Sequence, residues 1–545
     1  MKTAAAIAEI LKREGVEMLI GYPVNPIIEA AAVADIRTVI VRQERIGLHM
    51  ADAISRITSG NRIGVFAMQY GPGCENAFGG VAQAYADSVP LVVLGGGYPR
   101  NLTNIPPNFN AAINYRHITK WAEQVPMASA VPEIMRRAFT QAKNGRPGPV
   151  LVEIPRDVWE EDVPEPIDYK TTLKTRTAPD PQAIKEVASV IVNAKRPVLY
   201  VGQGVHYSRA WRQLKDLVEL LEIPVTTSLE GKSAFPENHP LYLGSGGRSF
   251  SKTVQHFLKN ADVIFGIGCS FTRTTFGTPI PSGKTVIHST LDPADLNKDV
   301  EASYALIGDA GLTLEALISE LKEILGERKP GWEGDFVKEI EAVKTEWMNE
   351  WMPKLTSDEV PLSPYRIIWE IMHTVDRKNT IITHDSGSPR DQMTPFWQSI
   401  APLTYIGWGK STQLGYGLGL AMGAKLAAPD KLCINVMGDA AIGMTGMDFE
   451  TAVRERIPIL TILLNNFCMA IELPIMQVAT EKYRSTDISG NYAEMAKAFG
   501  GYGERVTEVA EIVPALRRCI KKTQEGIPTL LEFITAKEIS YSLYR

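Results

Sequence analysis

Residues 432–466 read LCINVMGDAAIGMTGMDFETAVRERIPILTILLNN, and this stretch decides the fold. Two apolar runs, LCINVM and ILTILL, flank a segment of helical length, which is the pattern of two parallel strands joined by a crossover helix. Gly438, Asp439 and Ala440 follow the first run; Asn465 and Asn466 follow the second. Ligands of open parallel sheets bind outside the carboxyl ends of the strands, so an Asp and an Asn placed there can share one oxygen-liking cation. Magnesium suits such a place, because it takes few protein oxygens and completes its octahedron with phosphate oxygens and water. No GxxxxGK[ST] occurs in the chain, so a diphosphate on this metal would lack a Walker-type lysine. Read alone, the same residues are equally two turns capped by Asp and Asn.

The rhythm repeats outward from this unit. NTIITHDSG and TLLEFIT join the same sheet, while RPVLYVGQG, IPVTTS, DVIFGIG and KTVIHSTLD make a second unit and MLIGY, TVIV, IGVFAM, LVVLGG and PVLVEIP a first. The proline-bearing stretch EEDVPEPIDYKTTLKTRTAPDP reads as a linker, and the charged ERKPGWEGDFVKEIEAVKTEW as a crossing to the third unit. The expected fold class is α/β, with three parallel-sheet domains at 1–165, 181–330 and 361–545, in keeping with a length of 545 residues.

Composition narrows the function. Apolar residues make up 45% and charged residues 22%, which excludes disordered and fibrous classes, and a formal charge of -5 leaves no basic stripe for nucleic acid. Five cysteines without CxxC spacing suggest neither zinc nor a disulfide framework, so a reducing cytoplasm is expected. The opening MKTAAAIAEILKREG reads as an amphipathic helix, with Glu9 and Lys12 interrupting its apolar run. No apolar run approaches the ~20 residues that span a bilayer, so no membrane partner is expected.

The stretch from Gly438 to Asn466 resembles the thiamine diphosphate signature of the acetolactate synthase and pyruvate decarboxylase family, GDG and then NN, here with 24 residues (441–464) between. Ala440 replaces the usual last glycine, which asks only that φ stay negative. The resemblance implies thiamine diphosphate and Mg2+ as cofactors. It implies the Asp439 and Asn466 side chains and the Cys468 carbonyl as metal ligands, with Gly438, Ala440, Ala441 and Met469 around the diphosphate.

TVIVRQERIGLHMADAISR resembles the family segment that often reads RHEQ, with Gln43 in place of its histidine and Glu44 retained. By resemblance Glu44 hydrogen-bonds the pyrimidine of the cofactor and favours the imino form that deprotonates the thiazolium C2. Burial raises a carboxyl pKa and a helix N-terminus lowers it; burial is expected to dominate in a dry pocket. The bland alternative is a solvated first-turn glutamate.

Two more segments agree. AMQYGPGCENAFGGVAQAYADSVPLVVLGGG resembles the family's SGPGxxN stretch and places Gly71, Pro72, Gly73 and Asn76 near the cofactor. GWGKSTQLGYGLGLAMGAKLA places Leu414 as the apolar wedge that bends the cofactor, with the Thr412 carbonyl and Leu414 amide on its pyrimidine; HDSGSPRDQ brings Gly387 and Ser388 to the diphosphate. Gly417, Gly419 and Gly423 lack GxGxxG spacing and read as helix-packing positions.

TSLEGKSAFPENHPLYLG and DPADLNKD extend the resemblance through the middle domain, for which flavin, ADP or no ligand are the three readings. GCSFTRTTFG departs from the GARFDDR-like loop of flavin-bearing relatives, which argues against flavin; FAD and ADP stay among the readings, and neither is expected. Biosynthetic acetolactate synthases carry Gln and Trp after the metal asparagine, whereas NNFCMAIELPIMQ puts Ala470, Ile471, Pro474 and Ile475 there; branched-chain biosynthesis is therefore not expected. Tyr70, Phe109, Asn110 and Ile471 are the candidate substrate residues. His384 is either a proton shuttle or a buried structural histidine.

The leading reading is a carbon–carbon lyase or carboligase acting on 2-oxo acids. The alternative is a 2-hydroxyacyl-CoA or oxalyl-CoA lyase or decarboxylase, against which the short tail EISYSLYR offers little length for a CoA lid. A non-catalytic, cofactor-binding regulatory subunit is the third. The family carboxylate reaches the cofactor across a subunit boundary, so the resemblance implies a homo-oligomer, a dimer at minimum and a tetramer by analogy.

Overall fold

The computed structural model describes residues 1–544. Its named strands form three six-stranded sheets in which every pairing is parallel. Central strands such as Gly64–Met68, Leu91–Gly97 and Leu460–Asn465 are buried along their whole length, as helices on both faces require.

The first sheet runs Arg37–Ile40, Met18–Tyr22, Gly64–Met68, Leu91–Gly97, Pro149–Pro155, Trp121–Gln124. The third runs Tyr405–Ile406, Thr380–His384, Leu432–Gly438, Leu460–Asn465, Thr529–Ile534, Tyr502–Val506, which is the same order when strands are counted within each sheet. The middle sheet runs Tyr304–Ile307, Thr285–Thr290, Val263–Ile267, Pro197–Val201, Val225–Thr227, Tyr242–Ser245. That is the order of a dinucleotide-type doubly wound sheet, and the outer two differ from it.

Helix Glu44–Ile57 of the first domain packs on helix Tyr416–Ala427 of the third. A Cβ on Gly423 would lie 2.1 Å from the Met50 carbonyl oxygen, and one on Gly419 would lie 2.5 Å from His49 Cβ. The glycines therefore serve close helix packing. At the same seam Arg56 donates from Nε to Asp52 at 2.6 Å, from Nη2 to Asp87 at 3.0 Å and from Nη1 to the Gly407 carbonyl at 3.1 Å, all buried. Removing this guanidinium would strand two buried carboxylates, at a cost of about 3–5 kcal/mol.

The stretch from 161 to 180, expected as a linker, holds no helix or strand but is strapped to the first domain. Thr172 N donates to Glu14 Oε1 at 2.9 Å, and Thr175 N to Asn144 Oδ1 at 2.7 Å. The crossing to the third domain contains a 20-residue helix, Phe336–Leu355, that its charge pattern conceals. Its buried positions are sparse, Phe336, Ile340, Trp347 and Leu355, yet Trp347 stacks on Phe396 with centroids 5.0 Å apart. Among the described residues no helix is long and apolar enough to cross a membrane.

Candidate active site

In the third sheet the strand order reverses between Thr380–His384 and Leu432–Gly438, and a cavity of about 320 Å³ opens at their carboxyl ends. Its walls include Gly387, Ser388, Leu414, Asp439, Asn466 and Ile471, brought together from four separate stretches of chain. Thr412, Gly438, Ala440, Ala441, Cys468 and Met469 line it too.

Asp439 opens helix Asp439–Thr445, where the macrodipole favours a carboxylate. Its oxygens accept from the amides of Ala440 at 2.8 Å and of Asn466 and Cys468 at 3.2 Å each. Burial raises its pKa while these amides lower it, and among the described residues no basic side chain pairs with it. A buried carboxylate without a cationic partner, beside the Asn466 amide and the Cys468 carbonyl, fits a divalent ion. No cluster of three His, Cys, Asp or Glu side chains occurs among the described residues, so a metal here would draw on one carboxylate, an amide and a backbone carbonyl.

The loop that carries Leu414 is held by a residue the sequence reading passed over. Asp385, buried beyond the end of its strand, accepts from Ser386 N and Gly415 N on Oδ1 at 2.8 Å each and from Gly417 N on Oδ2 at 2.9 Å. Burial raises its pKa to about 6, the three amides opposing. Ser386 Oγ donates to the Thr412 carbonyl at 2.9 Å, and Gly387, at φ 83, leads into helix Ser388–Phe396. Ser388 Oγ lies 2.7 Å from Tyr541 Oη, which ties the C-terminal segment to the start of this helix.

His384 is fully buried and stacked on Trp408 at 5.0 Å. Its Nε2 faces Trp408 N at 3.4 Å and its Nδ1 faces the Asp385 carbonyl at 3.2 Å. Burial pushes its pKa down to about 3, and it does not line the cavity that holds Asp439, which favours the buried structural reading over the proton shuttle.

The first domain presents a second set. Glu44 begins helix Glu44–Ile57, is 5% exposed and accepts from Asn76 Nδ2 at 3.4 Å. Burial raises its pKa and outweighs the backbone and Asn76 hydrogen bonds, so the solvated-glutamate reading fails. Gly71 takes φ 60 ahead of helix Pro72–Ala86, and a Cβ on Gly73 would stand 3.3 Å from Glu44 Oε1. Tyr70 packs edge-on against Tyr98. Asn110 caps helix Ala111–Asn114 by accepting from Ile113 N at 2.9 Å, and Phe109 packs on Tyr115.

None of Glu44, Tyr70, Gly71, Pro72, Gly73, Asn76, Phe109 and Asn110 lines the cavity that holds Asp439. The two domains nevertheless adjoin close by, since Arg45 Nη2 donates to the Met444 carbonyl at 3.3 Å and Gln413 N to Gln83 Oε1 at 3.3 Å.

A larger cavity, about 780 Å³, lies where the middle sheet reverses order, beyond Pro197–Val201 and Val263–Ile267. Its floor is tight, since a Cβ on Gly202 would lie 2.3 Å from the Gly268 carbonyl oxygen. Arg248 and Phe276 line both cavities. Periodicity could not have found this neck, because its parts lie on loops.

Residues 1–126 match the N-terminal TPP binding domain of thiamine pyrophosphate enzymes, 184–317 their central domain and 385–533 their C-terminal TPP binding domain. The chain is 32% identical to a probable acetolactate synthase large subunit of Methanococcus aeolicus, over 98% of this chain and 92% of the relative. The chain belongs to the thiamine pyrophosphate enzyme family. A probable acetolactate synthase large subunit of Methanocaldococcus jannaschii is 31% identical over 98% of this chain and 92% of its own length. The acetolactate synthase isozyme 3 large subunit of Escherichia coli is 29% identical over 96% and 93%. This thiamine pyrophosphate enzyme is thus acetolactate synthase-like along nearly its whole length, and its cofactor is thiamine diphosphate.

Proposed function

We propose that this enzyme is a magnesium-dependent carbon–carbon lyase or carboligase for 2-oxo acids, outside branched-chain biosynthesis. The observation that carries the reading is the pair of half-sites: a buried Glu44 with a raised pKa, and an unpaired buried Asp439 beside Asn466. The bound cofactor supplies a nucleophilic carbon and an electron sink for a carbonyl substrate.

The chain's own residues do the rest. Asp439, Asn466 and the Cys468 carbonyl would hold Mg2+, and Gly387, Ser388, Gly438, Ala440, Ala441 and Met469 would surround the diphosphate. Thr412 and Leu414 orient the pyrimidine from one side. Glu44, backed by Asn76 and the Gly71–Pro72–Gly73 turn, shares a proton with its ring nitrogen from the other. Tyr70, Phe109, Asn110 and Ile471 line the substrate path.

The family carboxylate reaches the cofactor across a subunit boundary, and in one chain Glu44 and its neighbours line no part of the Asp439 cavity, which supports active sites that each join two chains, in a dimer or a tetramer of such dimers. Exposed Phe78, Met444 and Met447, beside Glu44 and Asp439 in sequence or fold, support a covered face there. Domain limits of 1–165, 181–330 and 361–545 and a reducing cytoplasm complete the reading; the five buried, unpaired cysteines agree with the latter.

A 2-hydroxyacyl-CoA or oxalyl-CoA lyase is the second reading, favoured by the cavity at the middle sheet's reversal, which has room for a nucleotide moiety. The test is incubation of the magnesium holoenzyme with a panel of 2-oxo acids and, separately, of acyl-CoAs, following carbon dioxide, aldehyde and hydroxyketone. Turnover of 2-oxo acids is expected. Turnover of the CoA compounds alone would replace the first reading with the second, and silence on both with intact cofactor binding would point to a regulatory subunit.

A further inference from the structure

The neck between the two cavities holds an ionic cluster that none of the cofactor contacts uses. Asp391, 1% exposed, accepts from Arg390 Nε on Oδ1 at 2.8 Å and from Arg248 Nη1 on Oδ2 at 3.0 Å. Arg390 is 2% exposed, stands over the Phe276 ring at 4.6 Å and leaves its Nη1 buried without a partner. Arg248 lies over the Tyr541 ring at 5.9 Å and is 23% exposed, so part of its guanidinium is reachable.

Two guanidinium groups on one carboxylate leave an unbalanced positive charge in a mostly buried place. Buried charge without a counter-ion and buried donors without acceptors are both costly, and native structures resolve them with a ligand or water. Both arginines line the cavity that holds Asp439, Asn466 and Leu414. The other carboxylates in that wall are Asp439, at the metal end, and Glu472, and neither pairs with the arginines. A planar guanidinium matches a planar carboxylate through two parallel hydrogen bonds.

We propose that Arg248 and Arg390, both fixed by Asp391, form the subsite that receives the carboxylate of the substrate. The proposal rests on the 2-oxo acid reading and adds to it the residues that tell an acid from a neutral ketone. Asp391 is a positioning residue, since it touches both arginines and holds their planes. The same groups could instead grip a phosphate, of the cofactor or of a ligand in the middle cavity, and the test separates these.

Holoenzyme carrying magnesium and thiamine diphosphate is compared as wild type, Arg248→Gln, Arg248→Lys and Arg390→Gln. KM is measured for pyruvate and for its neutral amide, and cofactor affinity by quenching of tryptophan fluorescence without substrate. The expected result is a rise of about 10- to 100-fold in KM for pyruvate in both Gln variants, the effect of losing a hydrogen bond to a charged group. KM for the amide and cofactor affinity should stay as in wild type, with Arg248→Lys between the two. Weakened cofactor binding with an unchanged KM for pyruvate would assign the arginines to a phosphate and overturn the subsite. So would equal losses for acid and amide. If Arg390→Gln does not fold, the partly exposed Arg248 decides alone. A wild type that processes no 2-oxo acid overturns the reading of the reaction and the subsite together; one that processes pyruvate with KM untouched in the variants overturns only the subsite.

Discussion

The Asp385 carboxylate receives the Gly415 amide at 2.8 Å, and through this bond the end of one strand dictates where the next loop places Leu414. The adjacent bonds from Ser386 and Gly417 make it a three-amide clamp inside the protein. Asp385→Ala would leave those amides without acceptors, each at about 1–3 kcal/mol when buried. A drop of several kcal/mol in unfolding free energy by urea titration, together with weaker cofactor binding, is expected; an unaltered urea midpoint would deny the clamp.

Glu44→Gln keeps the shape of the side chain and removes its acid. Turnover should fall by roughly 10² to 10⁴, the usual contribution of a positioned acid–base group, while cofactor still binds. Steady-state kinetics beside equilibrium dialysis checks both halves, and an unchanged rate would remove Glu44 from the chemistry.

Asp439→Ala acts on retention instead. Loss of a metal-ligand carboxylate should make thiamine diphosphate wash out in magnesium buffer on gel filtration. Full occupancy after that step would argue against the ligand assignment.

His384 links stability to pH. Its pKa is about 3 in the fold and about 6.5 in an unfolded chain, so below pH 6.5 the unfolded state binds the extra proton. Its contribution is fully present above pH 6.5 and is lost as pH falls toward 3, by about 1.4 kcal/mol per unit. Urea midpoints between pH 7 and 5 should therefore fall less steeply in His384→Gln than in wild type. Parallel curves would show that the imidazole does not titrate with unfolding.

Joining two chains at each site makes activity depend on association. Specific activity should decline on dilution, in step with the appearance of monomer in analytical ultracentrifugation. A fully active monomer would contradict the shared site.

Much of this was legible in the linear chain. The apolar runs around 432–466 announced parallel strands because a doubly covered sheet needs continuous burial, and GDA with NN marked two strand ends because polar residues must interrupt the run there. Asp439 stood at such a strand end, while Glu44 was found only through the resemblance of its segment to the family's RHEQ stretch. The helix Phe336–Leu355 was hidden, since only four of its side chains are buried and charges fill the rest.

What sequence order determined by itself was local: which segments extend, which coil, and which short motifs stand at strand ends, because hydrophobic period and turn chemistry act over a few residues. Tertiary structure alone decided that Asp385 grips a loop some thirty residues away, and that Arg248 and Arg390 meet on Asp391. It also decided that, within one chain, Glu44 lines no part of the cavity that holds Asp439. Such pairings depend on how separate sheets dock, and docking is governed by the shapes of buried surfaces, which no local pattern encodes.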